Sequence, residues 1–166
     1  MRPNSGYGFH IPTRHHTQVS RRDILASLTL FAPLPALAKE TIPITRENVK
    51  KAFDDLRYEL SGKDGGVARM QNKIDEGDWA GLIEITKTYD QELRKGKVGL
   101  CKSFLPKREQ AVVTVSANAI TFDLIGINRN ARPGQEDAKE ANRYLDELRT
   151  DLKLVIDEEK YVIYDS

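Results

Sequence analysis

The residues best placed to do chemistry are cations. Arg94, Lys95, Lys97, Lys102, Lys107 and Arg108 fall between positions 94 and 108, and no acid interrupts them before Glu109. A run of this kind docks on an acidic protein surface or on anionic headgroups, or it is a solvated connection between helices. Asn128-Arg129-Asn130-Ala131-Arg132-Pro133-Gly134 supplies two more cations, Arg129 and Arg132. They stand where a helix ends and turns. There they complement the helix dipole and cap, or they recognise a partner carboxylate bidentately.

The other reactive side chains argue against catalysis. The three histidines are His10, His15 and His16, all in the first 38 residues. Residues 39–166 therefore contain no His general base, no Ser-His or Cys-His pair and no His-ligated metal or haem. Cys101 is the sole cysteine, so it forms no internal disulfide. It reads as a small buried or half-buried residue rather than a reactive thiol. Asp54-Asp55, Glu136-Asp137 and Asp157-Glu158-Glu159 lack the alternating ligands of a calcium loop and read as solvated helix faces. A carboxylate-only hydrolase would need two acids converging in a cleft, for which short turns leave little room. The expectation is a binding or structural subunit with no catalytic residue, no metal ligand and no cofactor.

Four helical segments must position these groups. Thr45 is a plausible N-cap with Glu47 in the first turn, and Val49, Ala52, Phe53, Leu56 and Leu60 form an apolar stripe that Gly62 ends. Lys63-Asp64-Gly65-Gly66 is a turn. A second segment starts near Val67. Met70 and Ile74 carry its stripe to Glu76-Gly77, where Asp78 can cap a restart. Trp79, Leu82, Ile83, Thr86, Tyr89 and Leu93 then share a face. This is one kinked helix or two. Residues 94–105, with Gly96 and Gly99, break the pattern and read as a basic loop.

Pro106 opens a third helix running to about Asn130. Ala111, Val112, Val115, Ala119, Phe122, Ile125 and Leu124 are expected to face inward. Arg132-Pro133-Gly134 is a stop. Gln135, Glu136 and Asp137 open the fourth helix, whose stripe is Ala138, Ala141, Tyr144, Leu145, Leu148, Leu152 and Val155, with Glu147 and Asp151 toward solvent. Phe53, Tyr58, Trp79, Tyr89, Phe122 and Tyr144 are expected in the core rather than around a pigment. Tyr161-Val162-Ile163-Tyr164 forms an apolar strap. The pattern predicts an all-α, up-down-up-down four-helix bundle.

The first 38 residues read differently. Ser20-Arg21-Arg22-Asp23 precedes the apolar run Ile24 to Ala32, and Ala36-Leu37-Ala38 is an A-x-A cleavage site. Residues 1–19 are basic and free of acid, like a transit region. The paired arginines suggest the twin-arginine route. Removal leaves 39–166 as one domain. Four of 26 basic and one of 25 acidic residues leave with the leader, so the domain carries 22 against 24, a net of −2. That balance does not suggest a nucleic-acid binder. No segment after the leader is expected to be long and apolar enough to cross a membrane.

Three stretches resemble a known family. Glu47-Asn48-Val49-Lys50-Lys51-Ala52-Phe53 through Arg57-Tyr58-Glu59-Leu60 looks like the opening helix of the fifth extrinsic protein of diatom photosystem II. Gly65-Gly66-Val67-Ala68 and Thr86 to Lys95 are similar to its second helix. Thr121 to Glu136 is the most specific match, and the resemblance covers most of 45–160. It implies a PsbQ-like four-helix bundle in the thylakoid lumen of a red-lineage plastid, peripheral to the membrane. It further implies binding to the intrinsic photosystem II core and to other extrinsic subunits, and support of oxygen evolution without catalysis or manganese ligation. The competing reading is a bacterial periplasmic bundle that binds a ligand or partner.

Overall fold

Thr45 decides where the first helix begins. Its hydroxyl accepts the Asn48 N–H at 3.2 Å, and α1 runs Arg46–Ser61 with Glu47 at the positive end of its dipole. The computed structural model describes residues 42–164, all within the unit Thr41–Ser166. The predicted leader and the domain start at residue 39 lie outside the described residues. Val49, Ala52, Phe53 and Leu56 are buried as expected, whereas Leu60 is half-buried and Glu59 takes the inward position beside it.

The second segment is two helices, α2 (Gly66–Asp75) and α3 (Trp79–Asp90). Gly77 breaks them apart at φ 68°, a left-handed conformation that favours glycine. The Asp78 carboxylate caps the restart by accepting the Gly81 N–H at 2.9 Å.

The expected basic loop, 94–105, is helical as far as Cys101. The chain leaves α3 as a π-helix, Gln91–Val98, and closes with one α-turn, α4 (Gly99–Cys101). An i→i+5 turn widens the helix, so Leu93 and Val98, five apart, both reach the core. The 3.6-residue period is lost there, which is why the stretch looked irregular. In the following turn Phe104 sits in the left-handed region at φ 63°.

Two long helices complete the fold, α5 (Lys107–Arg129) and α6 (Ala138–Asp157). Asp137 caps α6 by accepting the Lys139 and Glu140 N–H groups. The α5–α6 pair is the most extensive packing in the molecule, and Gly126 permits it: a Cβ there would lie 2.5 Å from the Tyr144 ring. Ala141, Leu145, Leu148, Leu152 and Val155 are buried, Tyr144 is half-buried, and Ala138 is exposed. After a short 3-10 turn (Glu158–Tyr161) Val162 packs on the core, whereas Tyr161 and Ile163 are exposed. The described residues are all-α, with no strand.

The third helix corrects the reading most. Its inward face is Val113, Ser116, Ile120, Asp123, Leu124, Gly126 and Ile127. Of the residues expected inside, only Leu124 is buried. Ala111, Val112, Val115, Phe122 and Ile125 are exposed, and Ala119 is half-buried. Tyr58 also points outward. Ser116 and Asp123 made the true core face look polar, and the apolar outward arc took its place. With 23 residues, α5 has the length and apolarity of a membrane-crossing helix, contrary to expectation. That apolar character is divided between a core face and an outward one.

Candidate docking surface

The eight predicted cations do not form one patch. Arg94 bonds Asp90 through Nε at 3.3 Å, and Asp90 in turn accepts the Thr121 hydroxyl of α5 at 2.6 Å. Lys97 pairs with Glu59 inside the fold. Lys95 is exposed on the π-helix, and Lys102 is half-buried in the turn after α4. Lys107, Arg108, Arg129 and Arg132 are exposed and form no salt bridge among the described residues.

These last four bracket the outward face of α5. Lys107 and Arg108 stand at its N-terminus, where cations oppose the helix dipole and so do not serve helix stability. Arg129 stands at the C-terminus, and Arg132 follows in the turn. Between them Val115 and Phe122 are each 69% exposed and Ile125 is 55% exposed. Every fully exposed position of α5 is basic, apolar or uncharged. An exposed apolar run of this kind is a candidate interaction site.

The rotation of α5 that presents this face is fixed by polar bonds to α3. Thr121 donates to Asp90, and Asn128 Nδ2 donates to the Thr86 hydroxyl at 2.8 Å. Thr121 and Asn128 are seven residues apart and lie on one flank of the helix. Their partners on α3 hold Ile120, Leu124 and Ile127 inward and leave Val115, Phe122 and Ile125 outside.

Behind that face lies a pair of carboxyls. Asp123 is buried, hydrogen-bonded to Asp151 of α6, and its Oδ2 has no partner. Burial, the Asp151 charge and hydrogen bond, and the Glu147 charge push Asp123 up to about 7 against the opposing Arg143. Burial and the Glu147 charge also raise Asp151, which is half-buried rather than solvent-side as expected.

A second internal carboxylate, Glu59, accepts the Gly66 N–H at 2.7 Å and the Tyr89 hydroxyl at 2.9 Å, and pairs with Lys97. Burial alone would raise its pKa, but the bonds from Lys97, Gly66 and Tyr89 outweigh that and hold it below the usual range. This node joins α1, the start of α2, α3 and the π-helix.

Cys101 is buried, and burial pushes its thiol far above the range of a nucleophile. No cluster of three or more His, Cys, Asp or Glu side chains could hold a metal among the described residues. Glu59 and Asp123 escaped the sequence reading. Glu59 lies three residues after Leu56, on the apolar stripe itself, and that register was the available signal. No known family, curated protein or solved structure matches the chain.

Proposed function

We propose that the protein is a non-catalytic extrinsic subunit of photosystem II, docked on the lumenal face of the intrinsic core beside other extrinsic subunits. The outward face of α5 carries this reading. A helix that keeps Val115, Phe122 and Ile125 in water between cations that form no salt bridge among the described residues is built to be covered. The resemblance of Thr121 to Glu136 to the fifth extrinsic protein supports the assignment, since that stretch spans the C-terminal half of the same face.

In this reading α1, the broken rod α2 to α4, α5 and α6 form an up-down-up-down bundle. The leader is removed after Ala38, and residues 39–166 work in the thylakoid lumen of a chloroplast, peripheral to the membrane. The domain contributes docking surface and no cofactor.

The test is a wash and rebinding of thylakoid membranes. High salt should release the protein from photosystem II, and adding it back at low salt should restore both binding and part of the lost oxygen evolution. A protein that never sediments with photosystem II would refute the assignment.

A further inference from the structure

The outward face of α5 has a second regularity. Arg108, Val115, Phe122 and Arg129 are seven residues apart, and so are Ala111, Asn118 and Ile125. The two series are offset by three, the a and d spacing of a heptad. All seven residues are exposed, and the seam is empty of any neighbour among the described residues. Half-buried Ala119 and exposed Val112 flank it.

A seam of period 3.5 fits one occupant geometry. It takes knobs from a helix lying nearly parallel to its own axis. We infer that α5 docks a single α-helix of another protein, about three heptads long, apolar at its centre and carrying carboxylates at both ends. The inference deepens the docking reading above and rests on it only for the identity of the complex.

Three features select this occupant. The seam ends are cationic, with Arg108 and Arg129 roughly 32 Å apart along the axis at 1.5 Å per residue. A second copy of α5 is disfavoured: in parallel Arg108 would meet Arg108, and in antiparallel it would meet Arg129, so like charges face each other either way. A bilayer is disfavoured as well. Asn118 sits in the middle of the seam, where lipid tails would leave its amide unbonded. Against a helix, one polar seam residue is tolerated and selects the register.

A synthetic probe tests the chemistry without photosystem II. The probe is a fluorescein-labelled helical peptide of three heptads, with Leu at its central seam positions, Asn opposite Asn118 and Glu at both ends. Fluorescence anisotropy should show saturable binding to the full chain. Phe122→Lys should weaken it at least about tenfold with an unchanged melting temperature, because Phe122 is exposed. A peptide ending in Lys should bind at least about tenfold more weakly. No binding, or equal binding of the Phe122→Lys chain or of the Lys-ended peptide, would overturn the inference. So would Phe122-dependent pelleting with vesicles containing about one third anionic lipid, or a Phe122-dependent dimer in sedimentation. Failure to rebind photosystem II would remove the assigned complex while leaving the peptide result standing.

Discussion

Gly66 and Tyr89 occupy adjoining space: a Cβ on Gly66 would lie 2.2 Å from the Tyr89 ring and hydroxyl. The backbone N–H of Gly66 and the Tyr89 hydroxyl reach the same Glu59 oxygen, at 2.7 and 2.9 Å. The start of α2 and the end of α3 are thus fastened to α1 through one carboxylate.

Gly66→Ala should therefore destabilise the fold by about 1–3 kcal/mol through overpacking. Glu59→Ala should cost about 2–4 kcal/mol, because it leaves the Lys97 ammonium and the Tyr89 hydroxyl without their acceptor. Lys95→Ala, on the same π-helix but exposed, should change stability by less than about 0.5 kcal/mol. Urea unfolding of the three variants checks the contrast. Equal values for Lys95→Ala and Glu59→Ala would contradict the internal role of this node.

Asp123 makes stability depend on pH with a definite sign. Its folded pKa of about 7 lies above the ordinary carboxyl value of 3.8. The folded chain therefore holds a proton that the unfolded chain has lost, and stability falls as pH rises from about 4 to about 7. Asp123→Asn removes the titration and supplies an N–H donor toward Asp151. Its stability should exceed that of the parent at pH 8, and the parent should gain on it as pH falls to 5. Parallel stability curves for the two proteins between pH 5 and 8 would count against a proton held on Asp123.

Two neighbours on α5 should respond in opposite ways. Ile120 is fully buried and Phe122 is 69% exposed. Ile120→Ala should cost about 2–5 kcal/mol and Phe122→Ala less than about 0.5 kcal/mol. Thermal or urea melts decide the matter. A larger loss at Phe122 would mean that α5 is rotated from the orientation described.

Much of the fold was legible where a single apolar stripe met clear punctuation. Thr45, Gly77 and Asp78 mark helix boundaries by caps and backbone geometry, and the stripes of α1 and α6 are nearly all buried, although α6 begins at Ala138, after its cap Asp137, rather than at the expected Gln135. The rest was hidden for physical reasons. The π-helix abolishes the 3.6-residue period, so a helix looked like a loop. On α5 two apolar arcs compete, and the polar bonds that choose between them run from Thr121 and Asn128 to residues more than thirty positions away. The candidate docking surface was half legible. Of the cations expected to dock, Lys107, Arg108, Arg129 and Arg132 are exposed, while Arg94 and Lys97 serve internal pairs. Its apolar centre was identified as core.

The outward face of α5 is the proposed contact with photosystem II. Cys101 is buried, so a cysteine placed at Phe122 is the accessible thiol for a photo-cross-linker. The most direct measurement labels Phe122→Cys, and separately Lys153→Cys on α6, then irradiates each after rebinding to salt-washed photosystem II. Phe122→Cys is expected to cross-link to a helical segment of a photosystem II subunit, while Lys153→Cys gives little product. Cross-linking from Lys153→Cys alone, or none from either, would contradict the proposed contact.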